Sequence, residues 1–366
     1  MNFKYVIVGS GLAGLTIAER IANVLNEKVL VIEKRSHIGG NVYDSYNKDR
    51  ILIQNYGPHT FHTSNKEVYD YLSRFTEWRD YQHRVLSYVD GNYIPFPISV
   101  ETINKLYNLN LTVDEMSSFI DGKKVSVDTI LTSEDVVLSK AGEDIYNKFF
   151  KNFTIKQWGV SPAELDKSVI SRIPFRENRD TRYFTDVYQG QPLYGYTAMC
   201  AKMCANPNIK ILLNVDYKEV VEDLHFETLI YTGPIDYYYN FKYGKLLYRS
   251  IRLKFETHDV ESYQPVASVR YPNDYDFTRI TEFKKLTGQE SKKTTILKEY
   301  PCFDEEPFYP YPTQEYKELY SKYKYLADQE TKVVFVGRLA EYKYYDMDDV
   351  VEKSLQIFKK ISERKG

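Results

Sequence analysis

The first 35 residues show the clearest pattern of apolar and polar positions in the chain. Residues 5–8 form a short apolar run, glycines punctuate residues 9–14, and residues 15–25 repeat apolar positions at helical spacing. A second apolar run over residues 29–32 ends in Glu33. Short apolar runs on either side of a helical pattern are typical of parallel strands, so this segment predicts a βαβ unit.

Helical and strand-like patterns alternate through the middle of the chain. A capping box that starts at Ser64 predicts a helix as far as residue 78, and residues 84–97 predict a hairpin with a tight turn. Apolar residues recur at helical spacing over residues 98–170, where Thr112 starts another capping box. Residues 245–300 alternate apolar and polar positions, which predicts antiparallel strands.

The C-terminal part returns to the pattern of the N-terminus. Residues 313–327 predict a helix, residues 333–336 predict a buried strand, and a last amphipathic helix is expected from about Asp348. Both ends of the chain are therefore predicted to belong to one α/β domain, and the middle segments are predicted to be insertions.

Composition narrows the class of protein. The chain has 366 residues with 49 basic and 51 acidic side chains, so it lacks the positive charge typical of a nucleic-acid-binding protein. Mean hydropathy is −0.50, and no apolar run reaches the roughly 18–20 residues of a membrane-spanning helix. Three cysteines form no disulfide or zinc pattern, and the chain enters its first strand without a signal-peptide pattern. We therefore expect a cytoplasmic protein with no nucleic-acid or membrane partner.

Tyrosine is unusually frequent, with 35 residues in the chain. A coding bias towards A/T-rich codons accounts for most of a surplus of this kind. The functional alternative is an aromatic pocket with polar tips, because tyrosine buries its ring and still offers a hydroxyl. Both explanations can hold together.

The glycines of the first turn carry the strongest chemical signal. The pattern G-x-G-x-x-G stands between a strand and a helix, and Glu33 follows 19 residues after Gly14. This is the context of a dinucleotide-binding fingerprint. Gly9 permits the tight turn, Gly11 lets the backbone approach a pyrophosphate, and Gly14 allows close packing of helix on strand. Glu33 is predicted to accept hydrogen bonds from an adenosine ribose.

The residues that follow Glu33 favour FAD over NAD. Residues 34–41 contain a basic residue pair and Gly39-Gly40, which resemble the extended FAD fingerprint of flavoprotein oxidases and mutases. Gly337-Arg338 and residues 344–348 resemble the second FAD contact of that class, where a helix N-terminus favours negative charge on the flavin. No second G-x-G-x-x-G follows a later strand, so a dedicated NAD(P)H domain is not predicted.

The predicted fold class is α/β, with a Rossmann-like FAD-binding domain, an inserted helical domain and an antiparallel β-sheet domain. Residues 1–80, 187–240 and 323–366 are assigned to the FAD-binding domain. Residues 98–170 form the helical domain with a mobile substrate loop. Residues 81–97, 171–186 and 241–322 form the antiparallel sheet and substrate domain.

Arginines and aromatic residues make up the rest of the candidate site. Arginine binds phosphate in a bidentate manner, although a surface ion pair is the ordinary alternative for each one. The aromatic residues either pack in a core or form a platform for a sugar or a nucleobase. His59 and His62 lie three residues apart without an acidic or cysteine partner nearby, so no metal site is predicted. The candidates are Arg172, Arg176, Arg179, Arg182, Tyr183, Arg249, Arg279, Phe149, Phe150, Phe153 and Trp158.

These segments together resemble the bacterial UDP-galactopyranose mutases nearly from end to end. The most specific matches are G-P-H-T-F-H-T at residues 57–63, K-Q-W-G at 156–159, N-R-D-x-R-Y-F at 178–184, T-R-I-T-E at 278–282 and G-R-L at 337–339. The resemblance implies an FAD enzyme that interconverts pyranose and furanose forms of a nucleotide sugar without net redox change. It further implies that N5 of reduced flavin attacks the anomeric carbon and expels the nucleoside diphosphate.

The resemblance also implies a role for each matched residue. Arg172 and Arg279 would clamp the pyrophosphate, and Trp158 would lie near the sugar. The implied catalytic residues are Arg172, Arg279 and His59. The implied substrate-binding residues are Phe149, Phe150, Phe153, Trp158, Tyr183, Arg249, Arg270, Tyr309 and Tyr344. The implied cofactor-binding residues are Gly9, Gly11, Leu12, Ala13, Gly14, Glu33, Lys34, Gly40, Asn41, His59, His62, Gly337, Arg338, Asp346 and Met347.

Two positions depart from the family pattern. Phe153 stands where the family usually has a tyrosine that stacks on uracil, and Arg270 stands where an asparagine is expected. Both changes fall near the nucleotide or sugar part of the implied site, so they affect the choice of donor. The alternatives are a dTDP-linked 6-deoxy sugar such as fucose and a UDP-linked N-acetylhexosamine.

Two other functions compete with a mutase. A flavin-dependent amine or alcohol oxidase shares the fold, but an amine needs no anion clamp of arginine and tyrosine. A non-enzymatic flavoprotein would use the helix over residues 313–327 as an interaction face, although the spacing of its tyrosines suits core packing better. For the mutase, we expect a nucleotide-sugar substrate, an external reductant such as NAD(P)H or a reductase, a homodimer, and a role in cell-surface polysaccharide biosynthesis.

Overall fold

Four sheets organise the part of the chain that the computed structural model describes, which is residues 3–171 and 173–363. The strands are β1 Tyr5–Val8, β2 Val29–Glu33, β3 Asp44–Tyr46, β4 Leu52–Gln54, β5 Phe61–Thr63, β6 Trp78–Asp80, β7 Val85–Val89, β8 Asn92–Phe96, β9 Tyr188–Pro192, β10 Ile209–Leu213, β11 Thr228–Tyr231, β12 Tyr248–His258, β13 Ser268–Arg270, β14 Arg279–Glu282, β15 Thr294–Cys302, β16 Tyr309–Pro310 and β17 Val333–Phe335. The helices are α1 Leu12–Val24, α2 Lys66–Ser73, α3 Val100–Tyr107, α4 Val113–Asp121, α5 Ser133–Ile145, α6 Asn152–Trp158, α7 Ser168–Ser171, α8 Tyr196–Met203, α9 Tyr217–Val220, α10 Ile235–Tyr238, α11 Phe283–Thr287, α12 Gln314–Ala327 and α13 Met347–Glu363. Short 3-10 turns cover Gly40–Val42, Pro162–Glu164 and Val221–Asp223, and a π-helical segment covers Tyr146–Lys151.

A five-stranded parallel sheet confirms the predicted βαβ unit. Its strand order is β10-β2-β1-β11-β17. Chain order reverses between β1 and β11, and ligands of such sheets bind outside the carboxyl ends of the strands at this point. Helices α1 and α13 pack on the sheet through buried residues such as Ile17 and Ile357. This packing brings both ends of the chain into one layer, as the sequence predicts.

A seven-stranded sheet contains the segments predicted as antiparallel. Its order is β16-β12-β15-β14-β13-β7-β8, and every pair is antiparallel except β13 with β7. The hairpin β7–β8 turns at Asp90 and Gly91, whose φ angles of 50° and 77° suit the tight two-residue turn. Two smaller sheets, β3-β4 and β5-β9-β6, complete the strands.

Helices α3 to α7 form the inserted helical unit. Their shared core contains Val137, Ile145, Phe149 and Phe150 and extends to Phe96 of the hairpin. The predicted capping box at Thr112 is present, because its hydroxyl accepts the Glu115 N–H and the Glu115 carboxylate accepts the Thr112 N–H. The predicted α/β fold class, with its helical insertion and largely antiparallel sheet, is thus confirmed, while the domain boundaries stay a prediction.

The predicted helix from Ser64 to residue 78 is wrong in both of its ends. Asn65 caps α2, because its side chain accepts the N–H groups of Glu67 and Val68, while the Ser64 hydroxyl donates to Asp186 at 2.9 Å. The helix ends at Ser73, and residues 78–80 form β6. Within the described ranges, no helix is long and apolar enough to cross a membrane.

Candidate active site

A cavity of about 820 Å³ opens at the carboxyl ends of β1, β2 and β11. It lies at the reversal of strand order, where a doubly wound sheet binds its ligand. The predicted cofactor residues that line it are Gly9, Gly11, Leu12, Ala13, Glu33, Lys34, Gly40, Asn41, His59, Gly337, Arg338, Asp346 and Met347. The cavity therefore gathers residues from both ends of the sequence.

The glycine turn has no space for a side chain at three of its glycines. A Cβ on Gly9 would lie 2.1 Å from the Thr232 hydroxyl, and Gly9 has a φ of +100°. A Cβ on Gly14 would lie 2.0 Å from the Gly9 carbonyl oxygen, and one on Gly40 would lie 2.8 Å from the Gly11 Cα. The backbone can thus approach a pyrophosphate at the N-terminus of α1, so these residues fit a dinucleotide.

Glu33 fixes the shape of this turn. One carboxylate oxygen accepts the N–H and the hydroxyl of Ser10, at 2.9 and 2.8 Å, and the other accepts the Arg35 N–H at 2.9 Å. A carboxylate has about four acceptor positions, so one stays available to a ribose hydroxyl. Lys34 lies at the rim and forms an ion pair with Glu306 at 3.7 Å.

The second predicted cofactor contact lies on the opposite wall of the cavity. Gly337 has a φ of +99°, and the Arg338 guanidinium donates to the carbonyl oxygens of Tyr345 and Phe308, at 2.5 and 3.3 Å. Helix α13 begins at Met347, directly after Asp346. The positive end of its dipole therefore faces the cavity and favours negative charge there.

His59 is held in one orientation between the two walls. Its ring Nδ1 lies 2.9 Å from the Gly57 carbonyl oxygen, so Nδ1 carries the hydrogen and Nε2 is the acceptor. Burial, with Arg338 and Arg279 nearby, lowers the pKa of His59 to about 4. The ring is therefore neutral at neutral pH. Its backbone carbonyl accepts a hydrogen bond from Gln191 at 2.8 Å, which leaves the ring as the more available part of the residue.

His62 lies apart from the cavity lining. Its Nδ1 is 3.0 Å from an Asp186 oxygen, and its ring stacks on Phe184 with centroids 3.6 Å apart. Its predicted contact with the cofactor stays a prediction. Gly14 also lies outside the lining, because it packs against the backbone of the glycine turn, as its predicted role requires.

Arg279 is a partly buried cation with a dedicated partner, and its side chain is 32% exposed. Its Nε and Nη2 donate to the two oxygens of Glu299, at 3.0 and 2.8 Å. Burial opposes the charge of Arg279, but the Glu299 carboxylate outweighs burial and raises the arginine pKa. The phenols of Tyr309 and Tyr183 are close enough to contribute to the same shift. Arg279 therefore lies next to two of the predicted substrate-binding tyrosines.

Tyr309 is the centre of a second group of predicted substrate residues. The guanidinium carbons of Arg249 and Arg338 lie 4.5 and 4.6 Å from its ring centroid, and Tyr344 stacks on it at 5.2 Å. Arg249 also lies 4.9 Å from the Trp158 ring. Guanidinium and phenol groups together are the donors that bind phosphate oxygens. Arg338 contacts Tyr309 and also lines the cavity, so this group lies directly beside the cavity.

Phe153 and Arg270, the two departures from the family pattern, are in contact. The guanidinium carbon of Arg270 lies 3.8 Å from the ring centroids of Phe153 and Phe96. Arg270 and Arg279 are paired residues on neighbouring antiparallel strands. The structure thus brings the two departures to the edge of the arginine and tyrosine group.

Several predicted candidates lie elsewhere. Phe149 and Phe150 are 0% and 1% exposed in the helical core, which favours packing over substrate contact. The Arg176 guanidinium donates to backbone carbonyls of the segment 180–183, Arg179 pairs with Glu101, and Arg182 pairs with Asp180. These arginines hold the chain that carries Tyr183. Arg172 lies outside the described residues.

Sequence reasoning misses three residues that shape this region. His83 is buried, contacts Tyr183 and Phe184 with its ring, and lies 3.0 Å from the Tyr81 hydroxyl. Burial, with Arg279 and His62 nearby, lowers the pKa of His83 to about 3. Glu299 and Phe96 are missed as well. Glu299 reaches Arg279 through the pairing of β15 with β14, and Phe96 reaches Arg270 because β7 pairs with β13, so no local motif identifies either residue.

The fold and the cavity define a Rossmann-like protein of the dinucleotide-binding class, with a group of arginines and tyrosines beside the cavity. The family model for UDP-galactopyranose mutase matches residues 148–344, and that for a NAD(P)-binding Rossmann-like domain matches residues 7–75. The chain belongs to the UDP-galactopyranose mutase family.

Individual relatives cover nearly the whole chain. A "Probable UDP-galactopyranose mutase" from Klebsiella pneumoniae is 36% identical, over 97% of this chain and 94% of that protein. A dTDP-fucopyranose mutase from Escherichia coli is 34% identical, over 96% of this chain and 97% of that protein. A crystal structure of reduced UDP-galactopyranose mutase superimposes with a TM-score of 0.76 at 16% identity, over 99% of this chain and 96% of that chain.

Proposed function

We propose that this chain is a flavin-dependent nucleotide-sugar mutase that interconverts pyranose and furanose forms, of the UDP-galactopyranose to UDP-galactofuranose type. The observation that carries the proposal is the position of the arginine and tyrosine group. Arg338 and His59 line the cofactor cavity, and Arg338 also contacts Tyr309, next to Arg249. A site for a diphosphate therefore adjoins a site for a dinucleotide.

The residues of the chain bind and orient the reactants. Arg279, Arg249 and Arg338 would stabilise the negative charge of the nucleoside diphosphate as it leaves the sugar. Tyr309 and Tyr344 would donate hydrogen bonds to the same oxygens. Bound reduced flavin would supply the nucleophile for the anomeric carbon, with no net redox change. The neutral His59 ring would accept a hydrogen bond at Nε2 on the sugar side of the cofactor.

FAD in its reduced form is the proposed cofactor. The glycine turn would hold the pyrophosphate, Glu33 would bind the ribose, and Asp346 with Met347 would hold the flavin end. We propose an external reductant, NAD(P)H or a reductase, because the chain carries a single predicted dinucleotide fingerprint. A cytoplasmic location, a homodimer and a role in cell-surface polysaccharide biosynthesis stay predictions.

A second donor is also proposed. The dTDP-fucopyranose mutase relative and the UDP-galactopyranose mutase relative are nearly equal in identity, at 34% and 36%. Phe153 lacks the hydroxyl expected at its position, and the Arg270 contact changes the surroundings of its ring. A dTDP-linked 6-deoxyhexose is therefore the main alternative, and a UDP-linked N-acetylhexosamine is the other.

A panel of donors tests this proposal. The purified protein, reduced with dithionite, is incubated with UDP-galactofuranose, dTDP-fucofuranose and UDP-N-acetylgalactosaminofuranose, and the products are separated by chromatography. We expect conversion of at least one donor to its pyranose, and the fastest donor identifies the sugar and the base. Conversion of none, together with peroxide formation from an amine or alcohol, would identify an oxidase instead.

A further inference from the structure

Arg270 is a buried cation without a carboxylate partner in residues 3–171 and 173–363. Its side chain is 6% exposed, it lies between the rings of Phe96 and Phe153, and its Nη1 is buried with no hydrogen-bond partner. Burial, with Arg279 nearby, lowers its pKa to about 10, so the group is still charged at neutral pH. Because both faces of the guanidinium are covered, a partner can reach it only in its own plane.

The nearby carboxylates are already engaged. Glu299 accepts both of its hydrogen bonds from Arg279. Glu282 points to the other face of the sheet, where it accepts the N–H groups of Tyr263 and Gln264. The described part of the chain therefore neutralises Arg279 and leaves the charge of Arg270 uncompensated.

Apart from the Arg279–Glu299 pair, the nearest residues to Arg270 on this sheet face are polar and uncharged. Ser87 is its paired residue on β7, and the hydroxyl oxygens of Ser87, Ser268 and Thr281 are buried without partners. These hydroxyls are neutral, so they do not cancel the charge of Arg270. A buried charge that lacks a partner is costly to a folded protein. The arrangement is therefore incomplete without an anion from outside the described chain.

We propose that Arg270 is a substrate-binding residue whose guanidinium binds a phosphate oxygen of the nucleoside diphosphate, next to Arg279. Glu299 neutralises the charge of Arg279, so Arg270 supplies the positive charge that remains for the phosphate. This inference rests on the proposed function, because a nucleotide sugar is the anion that the site receives. A carboxylate on the sugar is the other source of such an oxyanion, and the test separates the two.

The test measures ligand binding to the oxidised holoenzyme. Dissociation constants for UDP, dTDP, uridine and UDP-galacturonate, a donor with a sugar carboxylate, are determined by calorimetry for the wild type, Arg270→Met and Arg270→Lys. We expect Arg270→Met to weaken UDP or dTDP at least tenfold and to change uridine binding less than twofold. Arg270→Lys keeps the charge without the planar fork, so we expect an intermediate loss. Arg252→Gln removes an exposed arginine from the same sheet and is the matched control.

Thermal unfolding of the ligand-free variants separates ligand binding from packing. If Arg270 awaits an anion, Arg270→Met removes an uncompensated charge and its midpoint temperature stays equal or rises. A lower midpoint with unchanged UDP and dTDP affinity would assign Arg270 to packing between the two phenyl rings and overturn the inference. Weaker binding confined to a donor with a sugar carboxylate would overturn the diphosphate assignment. A wild type that binds neither UDP nor dTDP would instead overturn the proposed function, and the inference with it.

Discussion

Arg279 shows how one partly buried residue links stability to the proposed chemistry. Its charge is held by Glu299 and faces the tyrosine group. We expect Arg279→Ala to lower kcat/KM by at least about 100-fold, or about 2.7 kcal/mol, because it removes charge stabilisation of the leaving diphosphate. Steady-state kinetics of the reduced enzyme measure the change, and flavin absorbance shows that FAD is retained.

The single substitution leaves the Glu299 carboxylate buried without its cation. The double variant Arg279→Ala/Glu299→Gln removes this charge and is the control for stability. Turnover within fivefold of the wild type in the double variant would remove Arg279 from the diphosphate site.

Two histidines with lowered pKa values, the buried His83 and the cavity-lining His59, predict how stability depends on pH. Burial lowers the pKa of His59 to about 4 and that of His83 to about 3, from 6.5. Below pH 6.5 the unfolded chain binds protons that the folded chain does not, so stability falls as pH falls. Each histidine contributes about 1.4 kcal/mol per pH unit between pH 6.5 and about 5. Urea unfolding over this range measures the slope.

The variant His83→Gln isolates one of the two groups. The glutamine can keep a hydrogen bond to Tyr81 and does not titrate. We expect the slope of stability against pH to fall by about half in this variant. An unchanged slope would show that His83 is not the buried neutral group.

At the scale of elements, the glycine turn and α1 form one packed unit. A methyl group on Gly14 would lie 2.0 Å from the Gly9 carbonyl oxygen, so α1 must move away from β1. We expect Gly14→Ala to lose bound FAD and to lower the unfolding midpoint. Gly122→Ala is the matched control, because its methyl would meet nothing closer than 3.7 Å. Equal flavin content in both variants would contradict this account of the turn.

Lys156 attaches helix α6 to the loop between β13 and β14. The Lys156 ammonium donates to the carbonyl oxygens of Tyr271 and Asp274, at 2.9 and 2.8 Å. Because α6 carries Phe153 and Trp158, we expect Lys156→Met to raise KM about tenfold with little change in bound FAD. Kinetics with the preferred donor check this, and Lys151→Met, an exposed position next to the same helix, is the control. An unchanged KM would show that this attachment does not position the substrate residues.

Local sequence patterns predict single helices, turns and hairpins well, but they predict contacts with residues distant in sequence poorly. The glycine turn, the hairpin before Phe96 and the Thr112 capping box follow from residues a few positions apart, and the structure has all three. The helix predicted from Ser64 is wrong because the neighbouring Asn65 caps it and Ser64 bonds to the distant Asp186.

At the scale of the whole molecule, the site depends on pairs that are far apart in sequence. Arg279 on β14 is paired with Glu299 on the neighbouring strand β15. The guanidinium of Arg338 lies over the ring of Tyr309. The family motifs predict which arginines matter, but no local pattern predicts that Arg270 lies between two phenyl rings. Strand order and register produce these contacts, and they become visible only in the folded chain.

The proposed function requires that the chain rearrange a nucleotide sugar on reduced flavin without consuming electrons. The same enzyme preparation is assayed for furanose-to-pyranose conversion before and after anaerobic reduction with dithionite. We expect turnover only in the reduced state, with many products per flavin and no net oxidation of the cofactor. Equal rates in the oxidised and reduced states, or one flavin oxidised for each product, would contradict it.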